Sequence, residues 1–253
     1  MEVGPLRVWQ QPGLCANGDE ASHAHASLVQ RFRATDTDGT RLYVDPRLPV
    51  GAHLSALEYL RIAEDEARVE LALSSPRPAL FIYGSTQLLL AAACTNGDVV
   101  AYYDGALHVV VNRDDLRESV IHEYAHHALM SHGIIGPAWA QEGIAMHVAR
   151  ETWWLHRTWL ERVADEPFSI DSMERAVPYT LESEQATLFY AQAAAMVACA
   201  TRNTSDGLAG LVRELRSAHS ESEISYDLPV PQRPSALRAC VDTLIRDSHG
   251  ASR

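Results

Sequence analysis

Hydrophobic and polar positions change rhythm once along this chain. Residues 1–40, rich in Gly, His, Asp and Thr, show little periodicity and read as an irregular N-terminal segment. Arg41–Val44 has the character of a strand. Leu60, Ala63, Ala67 and Leu71 then recur at helical spacing and mark one face of a helix over about 55–73. Ala79–Tyr83 reads as a strand and Thr86–Ala93 as a short helix. Two β-rich runs follow, Val99–Tyr103 and Ala106–Val111, around Asp104-Gly105. Asp-Gly between such runs predicts a hairpin with a two-residue turn. After Asn112 the spacing is helical almost to the end, apart from residues 218–235, whose Ser, Glu and Pro predict a loop before a last helix. Strands first and helices second is an α+β order. The expected organisation is a single domain over 41–253, with a small sheet and its helix in a lobe at 41–112 and a mostly helical lobe at 113–253. No internal repeat or low-complexity tract interrupts it.

The first helix of the second lobe, predicted over about 113–132, carries the candidate chemistry. Leu116, Val120, Ile121, Tyr124, Ala125, Ala128 and Leu129 form its apolar stripe. Asn112 is the expected cap, with Asp114 and Asp115 in a first turn that favours negative charge. Gly133 is the expected stop. Within the helix, His122-Glu123-Tyr124-Ala125-His126 reads H-E-x-x-H. Positions four apart share a helix face, so His122 and His126 can hold one metal ion, and Glu123 can reach a water beside it. These are the parts of a zinc hydrolase. The plain alternative is a helix with chance histidines.

A third ligand is required, and two residues compete. Glu142 falls early on a second helix that Pro137 can open, and Gly133 and Gly136 allow the reversal between the helices. Gly143 would let the two helices approach closely, at a cost of about 1 kcal/mol against Ala. His132 occupies the last place of H-E-x-x-H-x-x-G-x-x-H. That pattern needs a glycine where this chain has Leu129, a helix former, which argues for Glu142. Otherwise Glu142 is a solvated glutamate and His132 a dipole-stabilised residue at a helix end.

Hydrophobic residues make up 47% of the 253, enough for a sizeable core. A net charge of −12 argues against nucleic acid and anionic membrane surfaces as partners. No apolar run approaches the roughly 18 residues of a membrane span, and Met1–Pro5 lacks the marks of a signal peptide. The expectation is a cytoplasmic protein, or an exported one whose signal is absent from this chain. The four cysteines form no C-x-x-C pair. They suit two disulfides, Cys15–Cys94 and Cys199–Cys240, or four buried thiols. Trp153, Trp154 and Trp159, with His156, read as packing or as the wall of a substrate pocket. His108 is expected at a strand surface.

His122-Glu123-x-x-His126 followed by Pro137-x-Trp139-x-x-Glu142-Gly143-x-Ala145 resembles the gluzincin clan of zinc metallopeptidases, in particular its small peptidase-MA-like domains. The resemblance is specific over about 98–150. It is looser over 180–216, at Phe189-Tyr190-Ala191-Gln192 and Gly207–Leu215, and does not reach 1–75. It implies a zincin-like fold, Zn²⁺ held by His122, His126 and Glu142, and Glu123 as general base. It places substrate pairing on an edge strand at Ala106–Val111 and an oxyanion donor at Tyr190, for which the plain alternatives are an interior strand and helix packing. Only 15 residues separate His126 from Glu142, which departs from the long aminopeptidase pattern. The expected function is a zinc-dependent peptidase acting on a peptide or protein. The alternatives are a non-catalytic zinc-binding interaction domain and a hydrolase of a non-peptide amide.

Overall fold

The computed structural model describes residues 30–93, 99–176, 178, 181–202, 204–220 and 234–250. Most of the 1–40 segment, Cys15, Cys94 and most of the loop predicted at 218–235 lie outside those residues. The architecture is α+β. Five strands, β1 (Arg33–Thr37), β2 (Thr40–Val44), β3 (Leu80–Tyr83), β4 (Ala101–Tyr103) and β5 (Leu107–Val110), form one mixed sheet in the order β1-β2-β3-β5-β4. β2, β3 and β5 run parallel, and the two outer strands are antiparallel to their neighbours. The helices are α1 (Leu54–Glu70), α2 (Thr86–Ala93), α3 (Leu116–Ser131), α4 (Ala138–Val148), α5 (Arg157–Asp165), α6 (Ile170–Arg175), α7 (Ser183–Thr201), α8 (Gly207–Ser220) and α9 (Pro234–Gly250). A 3₁₀ turn lies at Trp153–Leu155. No helix among the described residues is long and apolar enough to cross a membrane.

The chain forms two compact units. The first takes in the described residues up to Glu64 and Ser75–His127; the second takes in Asp65–Ser74 and the described residues from Ala128 onward. The division falls inside α1 and inside α3.

In the first unit, β3 and β5 are buried at every position. Continuous apolar runs are what central parallel strands require. β1 lies in the segment read as irregular. Its side chains are mostly exposed, so no alternation of apolar and polar residues announced it. Its turn has a clear local cause. Thr37 pairs with Thr40, and Asp38 and Gly39 both have positive φ (52° and 76°), as a two-residue primed turn demands. Asp104-Gly105, by contrast, does not make the two-residue turn its sequence suggests. Tyr103 pairs with Leu107, so the loop holds three residues, with Gly105 at φ 110°. The Asp104 carboxylate accepts a hydrogen bond from the Ala106 N–H at 3.3 Å within the loop.

This register creates a column of rings across the sheet. Tyr43, Phe81, His108 and Tyr102 are successive cross-strand partners on β2, β3, β5 and β4. Their centroids lie 4.3, 4.5 and 4.1 Å apart, with interplanar angles of 6°, 1° and 10°.

In the second unit, α4 packs along α7. A Cβ on Gly143 would lie 2.5 Å from the Ala193 carbonyl oxygen and 2.6 Å from Val197 Cγ2. Gly143 thus serves a close helix approach, but its partner is α7 rather than the helix that precedes α4. Gln192, fully buried on α7, accepts from the Phe168 N–H (2.7 Å) and donates to the Phe168 carbonyl (2.9 Å). A disulfide joins Cys199 on α7 to Cys240 on α9, their Cα atoms 6.1 Å apart.

Candidate metal centre

α3 begins later than its sequence suggests. Asn112 does not cap it: it has φ 66° and turns the chain out of β5, a left-handed conformation that asparagine tolerates. Asp115 immediately precedes the helix, and its carbonyl accepts from the Ser119 N–H at 2.9 Å. The Asp115 carboxylate is held below the usual range by its paired hydrogen bonds from Arg113, at 2.8 and 2.7 Å. The other end is as expected. Gly133 has φ 68°; its N–H bonds to the Met130 carbonyl and that of Ile134 to Leu129, both at 3.0 Å, a Schellman cap.

Between these ends the apolar stripe is buried: Leu116, Val120, Ile121, Tyr124, Ala125, Ala128 and Leu129. That fixes the rotation of the helix about its axis, and the rotation leaves His122 and His126 half-buried, their rings edge to face with centroids 5.0 Å apart. Glu123 is buried beside them. Glu142 is half-buried one turn into α4. One donor atom from each of His122, His126 and Glu142 lies within 4.8 Å of the others. Donors about 2.0–2.2 Å from a tetrahedral ion stand roughly 3.3 Å apart. The separations in this set, up to 4.8 Å, are of that order. Two imidazole nitrogens and one carboxylate oxygen are a donor set suited to zinc, and three protein ligands leave a fourth position for a reactant. His132 is outside the triad. Its Nδ1 donates to the Ala128 carbonyl at 2.9 Å, because Leu129 carries the helix on to Ser131 and aims this ring back along the helix.

Tyr190 lies on α7, half-buried, with its ring edge to face against Phe189 at 5.8 Å. The tryptophans divide. Trp154 is buried, donates to the Glu151 carbonyl at 2.8 Å and packs against His147. Trp153 and Trp159 meet edge to face, with Arg162 over the Trp159 ring. His156 is exposed where α5 begins.

Two expectations are corrected. His108 is not a surface residue: it is fully buried in the ring column, with Nδ1 2.9 Å from the Tyr83 hydroxyl and Nε2 3.1 Å from the Asp104 carboxylate. The run Ala106–Val111 is not an edge. β5 lies between β3 and β4, so it is an interior strand, and among the described residues the sheet ends on β4. Burial raises the pKa of Tyr102 on β4, helped by Tyr83, Asp104 and, least, the charge of Glu123. Burial raises that of Tyr83 as well.

No protein-family model matches this chain, and no curated protein matches it either. Its site is therefore read from its own residues.

Proposed function

We propose that this protein is a zinc-dependent peptidase with a zincin-like arrangement of sheet and active-site helix. The observation that carries the reading is the convergence of His122, His126 and Glu142 with Glu123 in the same helix turn as the histidines. A structural zinc site would call for four protein ligands, often cysteines, and would have no use for a neighbouring base. Zinc bound by the triad supplies Lewis acidity to a water and to the scissile carbonyl.

The chain's own residues do the remaining work. His122 and His126 present neutral ring nitrogens, and Glu142 adds the negative charge that offsets the cation. Glu123, buried and acceptor-only when ionised, takes a proton from the attacking water and returns it to the leaving amine. The gluzincin resemblance implies Tyr190 as the donor that stabilises the developing oxyanion. The role that the gluzincin resemblance gives to an edge strand passes from β5 to β4. The Cys199–Cys240 disulfide supports an oxidising compartment as the working location.

The test pairs metal content with turnover. Wild-type protein should hold close to one zinc per chain and cleave members of a peptide library. Glu123→Gln should keep the zinc and lose at least about 100-fold in rate. A chain that takes up no added zinc overturns the reading. A Glu123→Gln variant as active as wild type removes the peptidase mechanism and leaves a binding role.

A further inference from the structure

α3 carries a third histidine that is outside the metal triad. His127 is 8% exposed, and both its ring nitrogens meet polar partners. Nε2 lies 2.7 Å from the Pro76 carbonyl oxygen and Nδ1 3.1 Å from the Tyr103 hydroxyl. A carbonyl only accepts, so Nε2 carries the proton; in the neutral ring Nδ1 is then the acceptor and Tyr103 the donor. Tyr103 is suited to donating. Burial, then the charge of Asp104, raises its pKa and keeps its proton in place. Its ring also meets the imidazole edge to face at 5.5 Å. Tyr124 reinforces the arrangement. Its ring is 5.5 Å from His127, and its hydroxyl donates to the Ser75 carbonyl at 3.4 Å. One helix is thus fastened to residues 75–76, which lead into β3, and to the last residue of β4.

An apolar side chain would fill this space without the cost of desolvating two ring nitrogens. What the imidazole adds is direction. β4 is an edge of the sheet, with a strand neighbour on one side only among the described residues. Glu123 and His127 are four apart on α3 and adjoin on one face. The residue that anchors the open strand edge is therefore the next one along the face that carries the base.

We propose that His127 is a positioning residue. Through Tyr103 it holds the edge of β4 in the place where an extended peptide adds as a further strand beside Glu123. This rests on the peptidase reading above, and the experiment separates the two. Tyr103→Phe, His127→Gln and His127→Leu are compared with wild type in the zinc-loaded protein. Hydrogen exchange of the β4 amides is measured without substrate, and kinetics are measured on oxidised insulin B chain. In Tyr103→Phe the β4 amides should exchange about tenfold faster, and KM should rise about fivefold, the scale of one net hydrogen bond. kcat should change less than KM, because the lost contact aligns substrate in both ground and transition states. His127→Gln keeps one donor and one acceptor and should reverse much of the rise in KM that His127→Leu shows. Unchanged β4 exchange in Tyr103→Phe overturns the proposal. So does a loss of zinc or of kcat that matches the rise in KM, since packing alone would produce it. If wild type leaves the insulin chain intact, the peptidase reading falls, while the exchange measurement still decides whether His127 fixes the strand.

Discussion

Glu142 and His132 both come within reach of the histidine pair along the sequence, and only Glu142 reaches it in space. Glu142→Ala should lower zinc affinity by at least about 100-fold, more than the loss of a supporting residue costs. His132→Ala should leave it within a few-fold; competition with a chelator of known affinity measures both. Another histidine gives a pH prediction. Burial lowers the pKa of His147 below 6.5, opposed by its bond to the Ala194 carbonyl and by the charge of Glu70. As pH falls through about 6.5, the unfolded chain takes up a proton that the folded chain refuses. His147 therefore contributes stability above that pH and loses it below. Urea midpoints at about pH 7.5 and pH 5.5 should fall further in wild type than in His147→Gln, whose amide can replace the bond without titrating. At this scale the metal residues were legible because helical spacing is local. His108 and His127 were not, because their partners lie up to 51 positions away and only the folded sheet brings them together.

The two Asp-Gly pairs show why elements were easier to read than their joints. At Asp38-Gly39 the turn has two residues, as its composition demands, yet no alternation of apolar and polar residues marks it because β1 is mostly exposed. At Asp104-Gly105 the flanking runs were plain, yet the loop holds three residues, with the Asp104 carboxylate accepting from the Ala106 N–H inside it. The helices α1, α2, α3 and α4 lie close to their predicted positions, since their apolar stripes and stops are written in a few adjacent residues. Which helix Gly143 meets was not written there, because α7 begins 40 positions later. Gly143→Ala should destabilise the protein by about 1–3 kcal/mol, the usual cost of overpacking, since its Cβ would strike the backbone of Ala193. Chemical denaturation of the variant measures this.

For the molecule as a whole, the Cys199–Cys240 bridge spans 41 positions and ties α9 to α7. Reducing it should lower stability by about 4 kcal/mol in the chain-entropy account, seen as a lower Tm with reductant. A net charge of −12 adds self-repulsion that the reduced chain would bear without this tether. The ring column has a consequence of another kind. Each strand from β2 to β4 contributes one ring, so the column exists only when every pairing is in step. A slip of one residue in any strand sends its ring to the opposite face. The sheet thus carries its own parity check. Deleting Tyr103, with the three-residue loop kept, would set Tyr102 against Leu107 and leave His108 beside Ala101. Such a protein should keep its helical circular dichroism while its near-ultraviolet aromatic signal collapses, the mark of a sheet assembled one step out of phase.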